Sequence, residues 1–474
     1  MTPDRAASGP TLPGPERPRP AAQRAPRRGS PGLSTAQATG AAGGPGGSIG
    51  LRGYLLSSPG VDQLAAWPDG ALLWDELGTI QYAGPWSDRP RPDAVSWHDC
   101  RGFLITPGFV DVHCHLPQYR AVGQGGLQLL PWLERYIFPL EKRFTPEQAA
   151  LDAPRFFAEL KKHGITSAAV YPSAAAESTE VCFQAAAASG LRVVMGQVMM
   201  DEWSYLARSS PELTRRIVAE SGALCRRWHG AAGGLVQYAF SPRFALTCSF
   251  RLMRETAELA GEAGAFIQTH LAENRGELQA VREKFPDACD YTNVYERCGL
   301  LGPRTILAHA IYLSEREHTV LAEADAKIAH CPTSNVFLGS GVLDWQRTRF
   351  ARIGMGLGSD VAGGPELNPW QVMKGASYSH RLRVALTGSG TEPSLVDLFR
   401  MATVDGARIL APGHALGQLA PGFTADVAVW DIAHVDAYDE PLLTVADPQL
   451  ILSKLVYRGA QATAAQVYVA GQAT

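Results

Sequence analysis

Between positions 105 and 415 short apolar runs rich in β-branched residues alternate with longer stretches of Ala, Glu, Leu and Arg. The runs 105–115, 165–173, 191–200, 235–244, 265–273, 305–313, 327–335 and 352–361 have the length and composition of strands buried on both faces. Stretches between them, such as 146–163 and 250–264, have helix-forming composition. Eight strand and helix units in succession predict a closed (β/α)8 TIM-like barrel. An open doubly wound sheet is the competitor. It lacks support here, because no glycine fingerprint follows the first run and no Gly-Lys phosphate loop occurs.

The two ends read differently. Segments 53–56, 71–74 and 80–83 sit among Gly, Pro and Asp turns and suggest small antiparallel strands; 426–430, 452–457 and 467–469 do the same near the C-terminus. Residues 51–104 and 416–474 are therefore expected to build one small β-sandwich domain from both chain ends, with the barrel at 105–415. Residues 1–50 hold 10 Gly, 9 Pro and no aromatic residue, with six Arg against two acids. Such a segment buries too little apolar surface to offset its ordering entropy and is expected to be a disordered tail.

Composition narrows the function. With 43 Lys and Arg against 46 Asp and Glu, the chain has a net charge of -3, too little field to hold a polyanion. Nucleic acid is thus an unexpected partner. No apolar stretch approaches the ~20 residues that span a bilayer, so no membrane partner is expected. Eight cysteines occur singly with no C-x-x-C pair, a pattern suited to a reducing cytoplasm.

The candidate chemistry lies at the C-terminal ends of the expected strands, where barrels of this type carry their sites. The first run ends in His113-Cys114-His115, and alternation along a strand turns both imidazoles to one side. The fifth ends in His270-Leu271-Ala272-Glu273, the sixth contains His309, and the eighth ends in Ser359-Asp360. Imidazoles with one carboxylate suit Zn²⁺, or Fe²⁺, better than Mg²⁺, so His113, His115, His270, His309 and Asp360 are the expected metal groups. The fourth run has no lysine to bridge two ions. One ion per subunit is expected. A bound ion lowers the pKa of water, and Glu273 is placed to shuttle its proton while Asp360 and His309 orient it; these three are the expected catalytic residues. His98, His163, His229, His318, His380, His414 and His434 are taken as structural, and His330 receives no role.

These motifs carry a family resemblance. Pro107-Gly108-Phe109-Val110-Asp111-Val112-His113-Cys114-His115, with His270, His309 and Ser359-Asp360, resembles the amidohydrolase superfamily in its mononuclear deaminase branch. Leu116-Pro117-Gln118-Tyr119, Trp132-Leu133-Glu134-Arg135-Tyr136-Ile137-Phe138-Pro139, Ser241-Pro242-Arg243-Phe244, Thr269-His270-Leu271-Ala272-Glu273-Asn274, Cys331-Pro332-Thr333-Ser334-Asn335 and Gly358-Ser359-Asp360-Val361-Ala362-Gly363-Gly364 are similar to the guanine deaminase family, from about position 51 to the end. The resemblance implies hydrolysis of guanine to xanthine and ammonia, and a homodimer. It implies that Gln118 and Arg243 read the purine edge, that Phe244 positions the ring, and that His115, His270, Glu273 and Asp360 also face the substrate. Trp132 and Phe138 are candidate pocket walls. Ala310 departs slightly from the family, which often has Gly or another small residue after this histidine. A related aminohydrolase acting on another purine, a pterin or a triazine is the alternative; a barrel scaffold without catalysis is a second, disfavoured by six metal-site and acid-base residues together.

Overall fold

The computed structural model describes residues 47–92, 95–206, 209–435, 442–445 and 447–474. The expected disordered tail therefore lies outside the described residues up to position 46, and its last three positions already belong to a strand. Strands β1 (Ser48–Ser57), β2 (Ala65–Trp74), β3 (Ile80–Pro85) and β4 (Val95–Pro107) precede the barrel. The barrel strands are β5 (Phe109–His115), β6 (Ile165–Tyr171), β7 (Arg192–Met195) with its two-residue continuation β8 (Val198–Met199), β9 (Val236–Pro242), β10 (Phe266–Leu271), β11 (Thr305–His309), β12 (Lys327–His330) and β13 (Gly354–Leu357). After the barrel come β14 (Val427–Asp431), β15 (Thr463–Val469) and β16 (Gln472–Ala473).

Every barrel pairing is parallel, in the order β5, β6, β7, β9, β10, β11, β12, β13. All eight expected runs contribute a strand, generally a shorter one. Among the starts, position 105 shifts most, because residues up to Pro107 pair in the outer sheet and the first barrel strand begins at Phe109. The third run breaks at Gly196, where a Cβ would lie 1.8 Å from the Ala239 carbonyl oxygen. The seventh ends at His330, and Pro332–Phe337 is helical. Past β13 the chain returns to β5: the Asp360 N–H donates to the His113 carbonyl (2.8 Å), and the His115 N–H donates to that of Val361 (3.1 Å). These two bonds close the barrel.

Two buried layers follow from strand alternation. Val110, Val112, Ala169, Val194, Ala239, Phe266, Ile306, Ala308 and Ala329 cluster within the barrel, while a larger cluster packs strands against the surrounding helices. Those helices start where the sequence supplies caps. Thr145 caps Pro146–Lys162 through the Gln148 N–H, and Ser249 caps Phe250–Ala263 through that of Leu252, with Gly264 in the left-handed conformation ending it.

The chain ends form one seven-stranded sheet in the order β16, β15, β14, β4, β1, β2, β3. It is mixed, for β1 and β4 run parallel and its other pairs are antiparallel. The expected strand at 452–457 is a correction: Pro448–Arg458 is a helix, capped by Asp447 with Pro448 in its first turn. There Ile451, Leu452, Leu455 and Val456 are buried, a three-and-four spacing that an apolar reading at a period of two misses. Alternation along β14 gives the sheet two jobs. Val427 and Val429 join the sheet's own core with Leu51, Leu55, Leu72 and Trp74, whereas Ala428 and Trp430 pack toward the barrel. Trp430 meets Phe109 and Trp370 edge-on, at 5.3 and 5.4 Å, and donates its indole N–H to the Thr106 hydroxyl (2.9 Å).

Trp430→Ala is expected to destabilise the protein by about 3–5 kcal/mol, the cost of a cavity where a large aromatic was buried. Denaturant unfolding of the two proteins checks it.

Candidate active site

The sequence-predicted residues meet at the C-terminal end of the barrel. His113 and His115 end β5, His270 lies in β10, His309 ends β11, and Asp360 follows β13 on the closing segment. Glu273 lies in the loop after β10, before the helix Arg275–Lys284, and Arg243 and Phe244 follow β9. Gln118 sits on the short 3-10 helix Pro117–Ala121 immediately beyond β5. All of these side chains are buried. His309 and Asp360 hold left-handed backbone conformations, φ 71° and 48°, as does Ala310 at φ 49°. Such strain at non-glycine residues persists only where the surroundings over-determine it.

The His115 Nε2 lies 3.2 Å from the Nε2 atoms of both His113 and His270, and the Asp360 Oδ1 is 3.1 Å from the His113 Nε2 and 3.3 Å from the His115 Nε2. Around a tetrahedral ion with bonds of ~2.0–2.1 Å, ligand atoms sit ~3.3 Å apart. The spacing matches that cage. The His309 Nε2 stands further off, 3.4 Å from the Glu273 Oε2 and 3.8 Å from the Asp360 Oδ2. It is also within a group of His113, His270, His309 and Asp360 whose ligand atoms all lie within 4.8 Å of one another. The chain thus gathers five donors in one buried cluster.

The far sides of His270, His309 and Asp360 are held. His270 donates its Nδ1–H to the Arg243 carbonyl (2.7 Å), which turns its Nε2 lone pair inward. His309 donates from Nδ1 to the Asn335 side-chain oxygen (2.8 Å), and the Asp360 Oδ2 accepts from the Ser334 hydroxyl (2.6 Å). Asp111 ties the closing segment to β5, accepting from the N–H groups of His113 and Ser359 and from the Ser359 hydroxyl. Such outer contacts fix tautomer and aim in metal sites. Burial holds the imidazoles of His115 and His309 down to about 4, and that of His270 well below its usual range, so these rings are neutral ligands. Burial also presses the Asp360 carboxyl upward, but hydrogen bonds to His113 and His115 outweigh it and keep Asp360 a carboxylate. Neutral lone pairs converging on a carboxylate, with the His309 Nε2 buried and lacking a hydrogen-bond partner, fit a divalent cation.

Beside this cluster is a narrow cleft lined by His115, Gln118, Trp132, Arg243, Phe244 and Glu273. Glu273 has its Oε1 buried without a hydrogen-bond partner, and burial, reinforced by nearby Asp360, raises its pKa well above the usual carboxyl range. It is a carboxyl poised to hold and release a proton. A roomier groove of about 710 Å³ shares no residue with this cleft, and its Arg316, Arg347 and Arg383 are already paired with Asp290 or Asp344.

Residues 104–474 match the family model described as the amidohydrolase family. The chain belongs to this family. A probable guanine deaminase of Deinococcus radiodurans is 38% identical over 393 residues, covering 80% of this chain and 87% of that protein. The guanine deaminase of Escherichia coli is 34% identical over 371 residues, covering 77% and 81%. Among solved structures, the guanine deaminase of C. acetobutylicum with guanine bound in its active site superposes with a TM-score of 0.82 at 26% identity, over 90% of this chain and 99% of that one.

In this amidohydrolase the expected metal, acid-base and purine-edge residues reach the one mouth, and of the two weaker wall candidates Trp132 lines the cleft. Phe138 lies one layer back, its ring 5.4 Å from the Arg243 guanidinium. His330 bonds His380 instead (3.0 Å between Nε2 atoms), away from the cleft lining. Ser334, Asn335 and Asp111 were visible only as parts of motifs, because a supporting role depends on which side chain faces which. Glu141, which touches both Gln118 and Arg243, carried no signal at all beyond its place after the Phe138-Pro139 pair.

Three outcomes are expected of this amidohydrolase. The purified protein should carry one divalent ion per chain by elemental analysis, and His270→Ala should carry less than half of that. Gly358→Ala should also lose metal, since a Cβ there would lie 2.9 Å from the His113 Cβ and 3.0 Å from the Cys331 Sγ.

Proposed function

We propose that this protein hydrolyses guanine to xanthine and ammonia. The observation that carries this reading is a single cleft holding both a His and Asp metal cluster and the Gln118 and Arg243 pair, in a chain whose relatives above 30% identity include guanine deaminases. His113, His115, His270 and Asp360 are the proposed metal groups, with His309 beside them. The ion is zinc, with Fe²⁺ as the alternative on the same donors; when bound it acts as a Lewis acid that makes a water acidic at neutral pH.

The chain's residues do the rest. Glu273, protonated in its buried setting, gives its proton to the ring nitrogen beside the amine-bearing carbon, which makes that carbon electrophilic. As a carboxylate it next takes a proton from the attacking water and delivers it to the leaving amine. A C–O bond forms, the C–N bond breaks and ammonia leaves; the proton remaining on the new hydroxyl then passes to the Glu273 carboxylate, giving the xanthine carbonyl and restoring the protonated carboxyl. Asp360 accepts a hydrogen bond from the water and the His309 Nε2 stands beside it as a further acceptor, so attack comes from one direction. Gln118 and Arg243 bind the polar edge of the purine, and Phe244 and Trp132 cover the ring, a positioning that brings the reactants to near-attack distance. All eight cysteines are free and seven are buried, which suits a reducing compartment, and we place the enzyme in the cytoplasm. We take it to be a homodimer, as the family resemblance implies.

Purified zinc-loaded protein given guanine should release xanthine and ammonia in equal amounts, with adenine, cytosine and a triazine turned over far more slowly. No turnover of guanine with metal in place would move the activity to another aminohydrolase substrate. Glu273→Gln should keep its metal and fold while kcat falls roughly 10²–10⁴-fold. Near-normal turnover would remove Glu273 from the proton shuttle.

A further inference from the structure

The carboxylate of Glu141 lies between the two groups that face the substrate edge. It stands on the short helix Phe138–Lys142 and is 7% exposed. One oxygen serves each reading group: Oε1 accepts from the Gln118 side-chain amide (2.9 Å), and Oε2 accepts from the Arg243 Nη1 (2.5 Å), with the Tyr205 hydroxyl also facing the carboxylate. Gln118 and Arg243 are themselves 2% and 3% exposed.

The polarity of this triad is forced. A carboxylate has no hydrogen to give, so Gln118 must turn its NH₂ toward Glu141, and its amide oxygen is the end left for the cleft. Arg243 has only donors, and with Nη1 held by Glu141 and the ring of Phe138 at 5.4 Å, its remaining N–H groups have one orientation. Without Glu141 the Gln118 amide could turn over, since its oxygen and nitrogen ends are nearly the same shape. The main chain of Arg243 adds a link to the metal cluster. Its carbonyl accepts from the His270 N–H, the His270 Nδ1–H and the Thr269 hydroxyl.

We propose that Glu141 is the specificity-determining positioning residue of the cleft, fixing Gln118 as acceptor and Arg243 as donor so that only a heterocycle presenting a carbonyl oxygen together with a ring N–H is bound well. This inference rests on the proposed deamination of guanine, which presents that pattern. A purine with an amine in place of the carbonyl presents a donor to Arg243, which has no acceptor to offer. Glu141 touches the two reading groups and no reacting atom, so it acts through them.

The test compares wild type, Glu141→Gln and Glu141→Asp for metal content, thermal unfolding, KM and kcat with guanine, and inhibition by 2,6-diaminopurine, whose six-membered ring has donor and acceptor reversed at the carbonyl and the adjacent nitrogen. In Glu141→Gln, with metal retained, KM for guanine should rise roughly 10–100-fold, as for loss of a charged hydrogen bond, while kcat falls by less. The preference for guanine over 2,6-diaminopurine should narrow by about tenfold or more, since polarity is no longer enforced. Glu141→Asp, which keeps the charge but is one methylene shorter, should lie between Glu141→Gln and wild type. An unchanged preference, or a loss confined to kcat, overturns the inference. Removing one partner of a buried ion pair can prevent folding. If Glu141→Gln does not fold, Glu141→Asp decides, and a wild-type preference there overturns the inference. A wild type that fails to turn over guanine would instead sink the proposed function, a result readable without either variant.

Discussion

Between the last barrel strand and the first, the N–H of Asp360 reaches the carbonyl of His113, and the N–H of His115 reaches the carbonyl of Val361. These bonds both close the barrel and set the distance between the only carboxylate of the converging group and the two imidazoles of β5. The seam tolerates little variation. Asp111 anchors Ser359 from within β5, Gly358 lets the chain pass against His113, and Asp360 itself is held in a left-handed conformation. Interiors packed to crystal-like density transmit such constraints rather than absorb them. The fold therefore delivers a ligand geometry, with separations of 3.1 to 3.3 Å, that no local stretch of chain could produce.

Around the seam, burial sorts the titratable groups into roles. The same desolvation that keeps His115, His270 and His309 neutral pushes the Glu273 carboxyl upward, whereas the imidazoles of His113 and His115 beside Asp360 keep it ionised. Two carboxyl groups in one cavity are thus driven apart, one toward ligand or acceptor and one toward proton carrier. The cleft walls repeat the logic with a neutral amide and a cation, each aimed by one buried carboxylate. Arg243 joins the two halves, its side chain in the cleft wall and its carbonyl on His270.

Much of this was legible before the fold was known. Alternation of apolar and helix-forming stretches identified a strand in each of the eight barrel positions, and His113 with His115, His270, His309, Glu273 and Asp360 stood at strand ends where a barrel carries chemistry. The errors share a cause. Residues 452–457 were read as a strand because short apolar runs look alike in either state, and the helix is distinguished only by the burial of Ile451, Leu452, Leu455 and Val456. Residues 105–107 were assigned to the barrel, since nothing local says which sheet a continuous apolar run will pair with.

The sequence by itself determined which chemical groups exist and roughly where along each strand they stand, because strand periodicity and residue type are local properties. Tertiary structure alone decided their second partners: Asn335 behind His309, Ser334 behind Asp360, the Arg243 carbonyl behind His270, and Glu141 between Gln118 and Arg243. Glu141 and Arg243 are separated by 102 positions in the chain. Their pairing depends on how the loop after β5 folds over the end of β9, a property of the closed barrel that no pattern within either segment encodes.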